Sequence, residues 1–233
     1  MSSSPVLDLN ILNRIAVFNG LAAEDLKKMA GLLRAKTLPS GAIIMSVLQE
    51  GEVVYVILDG TVKIHIEQAD GTDVIIGILG AGDILGEMSL LDNEGRSANA
   101  VALEETNLLW MDRRAFRDCL QSMPGLSFNL ARVLAARLRL ANEQIQALAT
   151  LEVESRVARQ ILAFAEKHGT ADADGDIVIP IRLTQSDLGS MVGASRERIN
   201  KILVSYKKRG YLSISNTYRI KIHNREALAR RCR

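Results

Sequence analysis

The chain has 233 residues, of which 48% are hydrophobic, 24% are charged and only 4% are aromatic. This composition excludes a disordered chain and predicts a globular protein with an aliphatic core. The net charge of +2 conceals an asymmetry, because residues 151–233 carry 16 Lys and Arg against 9 Asp and Glu, whereas residues 1–150 carry 13 against 18. We therefore expect an acidic module joined to a basic one, and a basic module suits nucleic acid.

The two cysteines, Cys119 and Cys232, lie far apart and form no metal-binding motif. We expect no disulfide framework, no metal site and no iron–sulfur cluster, and reduced thiols suit a cytoplasmic protein. Residues Met1–Pro5 lack the features of a signal peptide, and no apolar run is long enough to span a membrane. An enzyme is the least favoured class, since the sequence has neither a P-loop nor a nucleophile–base motif.

The N-terminal part is predicted to begin with helices and to continue with strands. Apolar residues recur at three- and four-residue steps over residues 8–36, and the segment Gly20–Asp25 divides them into two helices. From Leu38 to about Trp110 the pattern favours an antiparallel barrel or sandwich, with hairpins at Asp59-Gly60 and Asp70-Gly71. The strands are predicted over residues 42–45, 53–58, 61–66, 73–76 and 98–102.

Residues 112–150 are predicted to be helical, with Pro124-Gly125 separating a short helix from a long one. Apolar residues of the long helix recur at heptad spacing, at Leu134, Leu138, Ala141, Ile145 and Leu148. This spacing favours a dimer seam; the alternative is an amphipathic helix packed on its own domain. A further helix is predicted over residues 152–168.

The C-terminal part has the pattern of a winged helix-turn-helix. Thr184 is a predicted N-cap that forms a capping box with Asp187, Gly193 permits the turn, and Ser195 caps the second helix. Strands are predicted over residues 177–181, after a polar loop at 167–176, and in a hairpin over residues 211–222.

The second helix carries a polar face suited to the major groove of DNA. Arg or Lys can contact guanine, and Glu can accept a hydrogen bond from cytosine. A helical hairpin with a charged face is the alternative. Base or backbone contacts are predicted for Thr184, Gln185, Ser195, Arg196, Glu197, Asn200 and Lys201. Phosphate contacts are predicted for Lys207, Lys208, Arg209, Arg219 and Lys221.

A second candidate site lies within the segment Gly82–Ala98. Arg96 offers a bidentate fork to phosphate oxygens, and backbone N–H groups near Gly86 and Ser97 can add an anion nest. Glu87 can accept a hydrogen bond from a ribose hydroxyl. The alternative is that Glu87 and Arg96 form an ion pair in a loop.

This segment resembles the phosphate-binding cassette of cyclic-nucleotide-binding domains. Together with Gly51, Gly60 and the Ser195-Arg-Glu motif, it makes the chain similar to the CRP–FNR family of bacterial regulators, and most similar to the cAMP receptor proteins. The resemblance covers residues 8 to 230. It implies an α+β fold, with an N-terminal antiparallel β-barrel of the jelly-roll type (1–124), a long dimerisation helix (125–150) and a winged helix-turn-helix domain (151–233).

The resemblance also implies roles for individual residues. Glu87, with the backbone of Gly86 and Met88, would hold the ribose, whereas Arg96 and Ser97 would hold the cyclic phosphate. Ser97 followed by Ala98 is similar to the version seen with cAMP. Where cAMP-dependent relatives carry Thr-Ser to meet the base, this chain has Ala141 and Asn142.

The hypothesis from the sequence is a homodimeric transcription regulator controlled by a cyclic nucleotide, with cAMP as the first candidate. Its implied partners are a palindromic DNA operator with a TGTGA-like half-site and RNA polymerase. The chain lacks the cysteine cluster of oxygen-sensing relatives, and its three histidines are too scattered to suggest a haem ligand. Two alternatives are a regulator that binds DNA without cAMP or with another ligand, and a nucleotide-binding module that regulates an enzyme or a partner protein.

Overall fold

A computed structural model describes residues 8–69 and 73–232 of the chain. The predicted hairpin at Asp70-Gly71 and the segment Met1–Pro5 therefore lie outside the described residues. The described residues fall into two compact units, one drawn from Met1–Ile64 and Ile78–Leu140 and the other from His65–Gly77 and Ala141–Arg233. Within the described part of the chain, no helix has the length and apolar character needed to cross a membrane.

The N-terminal half begins with helices, continues with short strands and returns to helix, as predicted, but three of its strands and one short helix were absent from the prediction. The helices are α1 (Leu9–Arg14), α2 (Ala23–Leu32), α3 (Met88–Asp92) and α4 (Arg113–Ser122). The strands are β1 (Arg34–Leu38), β2 (Ile43–Met45), β3 (Val53–Asp59), β4 (Val62–Glu67), β5 (Asp73–Leu79), β6 (Ile84–Leu85), β7 (Asn99–Ala102) and β8 (Thr106–Asp112). Asp59-Gly60 lies at the turn between β3 and β4, as predicted.

The strands form two four-stranded sheets, in the orders β1-β8-β3-β6 and β2-β7-β4-β5. The prediction of an antiparallel β domain is confirmed, although hydrogen bonding joins the described strands into two sheets and not into one closed barrel. The prediction that the helical segment extends to residue 36 is wrong, because Arg34–Leu38 pairs along its whole length with β8. This pairing overrides the local helical pattern, and Arg34 adds a contact between its guanidinium and the Trp110 ring at 5.2 Å.

Strand β3 is buried on both faces, which explains its continuous apolar sequence. Val54 and Val56 pack with α1, α2 and α4 in one core cluster, which also contains Leu109 and Met111 of β8. Ile57 faces the opposite way, into a second cluster formed by residues of both sheets. The first sheet therefore has helices on one side and the second sheet on the other.

The long helix α5 spans Pro124–Thr150. The predicted boundary at Pro124-Gly125 is confirmed, since α4 ends at Ser122 and proline is tolerated in the first helical turn. Several large apolar side chains of α5 are exposed in the single chain, namely Phe128 (67%), Leu138 (64%), Ile145 (66%) and Leu148 (50%).

The C-terminal elements form a winged helix-turn-helix. The helices are α6 (Val153–His168), α7 (Gln185–Val192), α8 (Arg196–Lys208) and α9 (Arg225–Ala229). The strands β9 (Thr170–Ala171), β10 (Ile177–Ile179), β11 (Leu212–Ile214) and β12 (Ile220–Ile222) form a sheet in the order β11-β12-β10-β9. The sequence prediction lacked β9 and α9, which are short.

The caps of the two central helices match the sequence prediction. Thr184 accepts a hydrogen bond from the Asp187 backbone, and the Asp187 carboxylate accepts one from the Thr184 backbone, which completes a capping box. Gly193 has a φ of 64°, a left-handed conformation that glycine adopts at little cost. Ser195 accepts a hydrogen bond from Arg198 N and begins α8.

Replacement of Thr184 with Ala is expected to lower the free energy of unfolding by about 1 kcal/mol, because the N-cap acceptor is lost. The measurement is urea unfolding followed by circular dichroism. Ser186→Ala is the matched control, since Ser186 is exposed in the first turn of the same helix. An equal loss of stability in both variants would contradict the capping role.

Candidate functional site

The predicted cassette is built around a close approach between Gly86 and Arg96. Gly86 follows β6 with a φ of 82°, and a Cβ placed on it would lie 2.5 Å from Arg96 Nη1 and 2.9 Å from the Val53 carbonyl oxygen. A larger residue would therefore displace the arginine as well as strain the backbone. Glycine at this position is required for the buried course of the Arg96 side chain.

Arg96 is held by acceptors from three parts of the first unit. Its Nη1 donates to the Gly86 carbonyl at 2.8 Å and to Ser89 Oγ at 3.0 Å, and its Nη2 donates to the Val53 carbonyl at 2.6 Å. The residue is only 8% exposed, and burial lowers the pKa of its guanidinium. Its Nε is buried without a hydrogen-bond partner. A buried donor without an acceptor is costly, and an anion such as a phosphate would supply the acceptor.

Glu87 pairs with Arg137 of α5 and not with Arg96. Arg137 Nη1 lies 2.7 Å from Glu87 Oε1, and Arg137 Nη2 donates to the Ile84 carbonyl. Glu87 is 2% exposed, so the ion pair compensates a carboxylate that has lost nearly all its water. The ion pair between Glu87 and Arg96, the alternative from the sequence, is not the pairing in the structure.

Arg137 is a site residue that sequence reasoning missed. The sequence marked it only as polar, beside the apolar seam of α5. Its partner lies 50 residues earlier in the chain, and no local pattern links the two positions. A cation that flanks an apolar seam is common on amphipathic helices, so the sequence offers no specific signal for Arg137.

A second arginine, Arg113, also donates hydrogen bonds to the cassette. Arg113 Nε donates to the Gly51 carbonyl at 3.0 Å, and its Nη2 donates to the Ser89 carbonyl at 2.9 Å. Ser89 therefore links the two guanidinium groups, since its hydroxyl accepts from Arg96. Ser89 and Arg113 were also absent from the sequence prediction.

The remaining residues of the predicted nucleotide site are exposed. Met88 is the first residue of α3 and Ser97 follows Arg96, and both side chains are open to solvent in the first unit. Ala141 and Asn142 are exposed on α5 within the second unit.

Arg137→Ala is expected to lower the free energy of unfolding by about 2 kcal/mol, because it leaves the buried Glu87 carboxylate without its cation. The loss is smaller than for a fully buried pair, since the Arg137 side chain is 29% exposed. Urea unfolding followed by the fluorescence of Trp110, the single tryptophan of the sequence, measures it. The control is Arg139→Ala, an exposed arginine one position beyond Leu138, for which a change within about 0.5 kcal/mol is expected.

The predicted DNA-binding residues lie together on the exposed face of α8. Arg196, Glu197, Asn200 and Lys201 are exposed, whereas Ile199, Ile202, Leu203 and Tyr206 are buried. Ser195 is the N-cap of α8, Thr184 is the N-cap of α7, and Lys207 and Lys208 are exposed in the last turn of α8. Gln185 Nε2 donates to Asn200 Oδ1 at 3.1 Å, a contact between α7 and α8 that the sequence did not predict.

The structure gives Lys221 a partner other than DNA. Its Nζ lies 2.7, 3.5 and 3.1 Å from carboxylate oxygens of Asp172, Asp174 and Asp176. The hydrogen bond from Lys221 lowers the pKa of Asp172, and the hydrogen bonds from His223 and then Lys221 lower the pKa of Asp176. In the described residues these three carboxylates form the one group close enough to hold a metal ion, and the Lys221 ammonium lies among them. A phosphate contact by Lys221, expected from the sequence, would require it to leave this cluster.

Comparison with known proteins identifies both parts of the chain. Residues 35–123 match the family of cyclic nucleotide-binding domains, and residues 155–231 match the Crp-like helix-turn-helix domain. A CRP-like cAMP-activated global transcriptional regulator of Mycobacterium tuberculosis is 34% identical over 223 residues, which cover 96% of this chain and 99% of that protein. The chain belongs to the CRP–FNR family of transcription regulators.

Two further known proteins are similar to the chain, one in sequence and one in fold. The cyclic AMP receptor protein of Thermus thermophilus is 29% identical over 198 residues, which cover 85% of this chain and 88% of that protein. The structure of FixK2 from Bradyrhizobium japonicum shares the fold, with a TM-score of 0.75 at 21% identity over 85% of this chain and 96% of that one. The chain is therefore a DNA-binding transcription regulator with a cyclic nucleotide-binding domain.

Proposed function

We propose that the cassette of this CRP-like regulator binds a cyclic nucleotide, with cAMP as the first candidate. The observation that carries the proposal is the buried Arg96, whose Nε has no partner while its other nitrogens are fixed to the backbone and to Ser89. A cyclic phosphate beside Arg96 and Ser97 would accept a charge-assisted hydrogen bond from this nitrogen.

Other residues of the predicted nucleotide site would contact the ribose and the base. Glu87, fixed by Arg137, would accept from the ribose hydroxyl, with the backbone of Gly86 and Met88 beside it. In a dimer paired along α5, Asn142 would lie beside the seam and reach the base of the nucleotide held by the partner subunit. Its amide can both donate to and accept from an adenine edge. Ala141 offers no hydroxyl for this contact. For that reason the second candidate is a regulator that binds DNA without cAMP or with another ligand.

We propose a homodimer formed along α5. The exposed side chains of Leu138, Ile145 and Leu148 repeat at heptad spacing, and a second copy of α5 would remove them from water. On this proposal, residues 1–124 form the nucleotide-binding domain, 125–150 the dimerisation helix and 151–233 the DNA-binding domain.

We propose that α8 enters the major groove with Arg196, Glu197 and Lys201 at base edges. Backbone contacts come from Thr184, Gln185, Ser195, Lys207 and Lys208. Two copies of α8 about 34 Å apart would fit successive grooves of a palindromic operator, and a TGTGA-like half-site is compatible with these side chains. RNA polymerase is the expected protein partner.

The cyclic nucleotide would regulate DNA binding if it bound the DNA-competent form of the protein more tightly than the other form. Isothermal titration calorimetry of the full chain with cAMP, cGMP and cyclic dinucleotides tests the ligand. Gel shifts with a candidate operator, with and without cAMP, test the coupling. Binding of cAMP with tighter operator binding supports the proposal; equal operator binding with and without every nucleotide supports the second candidate instead.

A further inference from the structure

The contact between Gln185 and Asn200 joins the two helices on the face that the proposed function assigns to DNA. Asn200 lies one turn after Arg196 and next to Lys201, and its side chain is exposed. Gln185 Nε2 donates to its Oδ1 at 3.1 Å. Neither side chain belongs to the hydrophobic core, whereas the neighbouring Ile199 is fully buried in it. The hydrogen bond therefore orders two polar groups at the surface.

The backbone positions of this pair are fixed. Gln185 is the first residue of α7 and directly follows Thr184, whose capping box with Asp187 sets the start of the helix. Asn200 follows the fully buried Ile199 of α8. Side chains held on rigid elements lose little further freedom when they bind, so their contacts contribute more to affinity and specificity.

We infer that Asn200 recognises an adenine in the major groove and that Gln185 is the positioning residue that fixes its amide. The inference rests on the proposed placement of α8 in the groove. Asn200 Oδ1 has two lone pairs and its Nδ2 has two hydrogens; the bond from Gln185 uses one lone pair. The groups that are left can donate to adenine N7 and accept from its N6 amino group.

The bond to Gln185 also couples the orientations of the two amides. Rotation of the Asn200 amide by half a turn would exchange its oxygen and nitrogen, and the bond would be kept only if the Gln185 amide turned with it. Guanine presents two acceptors at N7 and O6, so an amide, which offers one donor and one acceptor, cannot satisfy both. The pair therefore discriminates adenine from guanine at one position of each half-site.

The experiment is selection of full-length protein on a duplex library with randomised half-sites, with and without cAMP, followed by fluorescence anisotropy on single duplexes. Asn200→Ala is expected to remove a preference for adenine of roughly tenfold at one position. Gln185→Ala is expected to weaken the same preference, and to have no further effect on it in the Asn200→Ala background. Replacement of that adenine by 7-deazaadenine, which lacks N7, should weaken binding of the wild type but not of Asn200→Ala.

The controls separate this inference from the proposed function. Arg196→Ala should relax base preference at another position, and Lys207→Ala should weaken binding equally on all sequences. If Arg196→Ala relaxes a preference but Asn200→Ala weakens all duplexes equally, or relaxes a position that is not adenine, the inference is overturned and the placement of α8 stands. If Arg196→Ala and Lys201→Ala also leave every preference unchanged, the placement of α8 itself fails and the inference fails with it.

Discussion

Arg96→Ala and Arg96→Lys are expected to weaken binding of the cyclic nucleotide by at least about 100-fold. Loss of one partner from a buried, hydrogen-bonded charge pair costs roughly 2–5 kcal/mol, and each 1.4 kcal/mol is a factor of ten. Lysine keeps the charge, but it cannot offer Nε to the ligand while two other nitrogens hold Val53 and Gly86. Isothermal titration calorimetry with the nucleotide that the wild type binds best measures the loss.

Folding has to be separated from binding in this test. Arg96→Ala leaves the acceptors at Val53 and Gly86 without their donor, so its unfolding midpoint should fall as well. Arg96→Lys keeps a cation in the cassette and serves as the second variant. Arg114→Ala, an exposed arginine of the same unit, is the matched control and should bind like the wild type. Wild-type nucleotide affinity in a folded Arg96→Lys protein would exclude the cassette as the phosphate site.

The winged helix-turn-helix could be predicted from the sequence because its signals are local. Thr184 and Asp187 are three residues apart, Gly193 marks the turn, and Ser195 stands one residue before α8. Each signal acts through the backbone within one helical turn, so short windows of sequence contain the whole interaction.

The cassette could be predicted only in part, because its electrostatics depend on distant residues. Glu87 and Arg96 are nine positions apart in the sequence, which left an ion pair between them as an alternative, whereas Glu87 binds Arg137 and Arg96 binds backbone carbonyls. A carboxylate pairs with the cation that the fold brings to it, and α5 brings Arg137 across 50 residues.

The contacts of strand β1 and of Lys221 could not be predicted either, because their partners are distant in the sequence. Residues Arg34–Lys36 continue a helical pattern, but the free edge of β8 pairs with them as a strand. Lys221 belongs to a basic segment of the sequence, yet the loop with Asp172 and Asp176 surrounds its ammonium with negative charge. In both cases the partner, and not the residue itself, determines the conformation or the contact that is observed.

Ile145→Glu is expected to convert the proposed dimer into monomers at micromolar concentration. Ile145 is 66% exposed in the single chain and belongs to the apolar repeat of α5. In a symmetric seam the variant would place two glutamates close together, away from water. Burial costs several kcal/mol per ion, so the dissociation constant should rise at least about 1,000-fold. Operator binding should fall with it, because a monomer contacts one half-site at a time.

Analytical ultracentrifugation over a concentration series measures the dissociation, and fluorescence anisotropy on the operator measures the loss of DNA binding. The control is Gln146→Glu, which adds the same charge one residue further along, on the solvent side of α5 away from the repeat. This control should remain a dimer and should bind the operator like the wild type. Dimers of equal affinity in the two variants would show that Ile145 lies outside the dimer interface, and the proposed seam along this face of α5 would then be wrong.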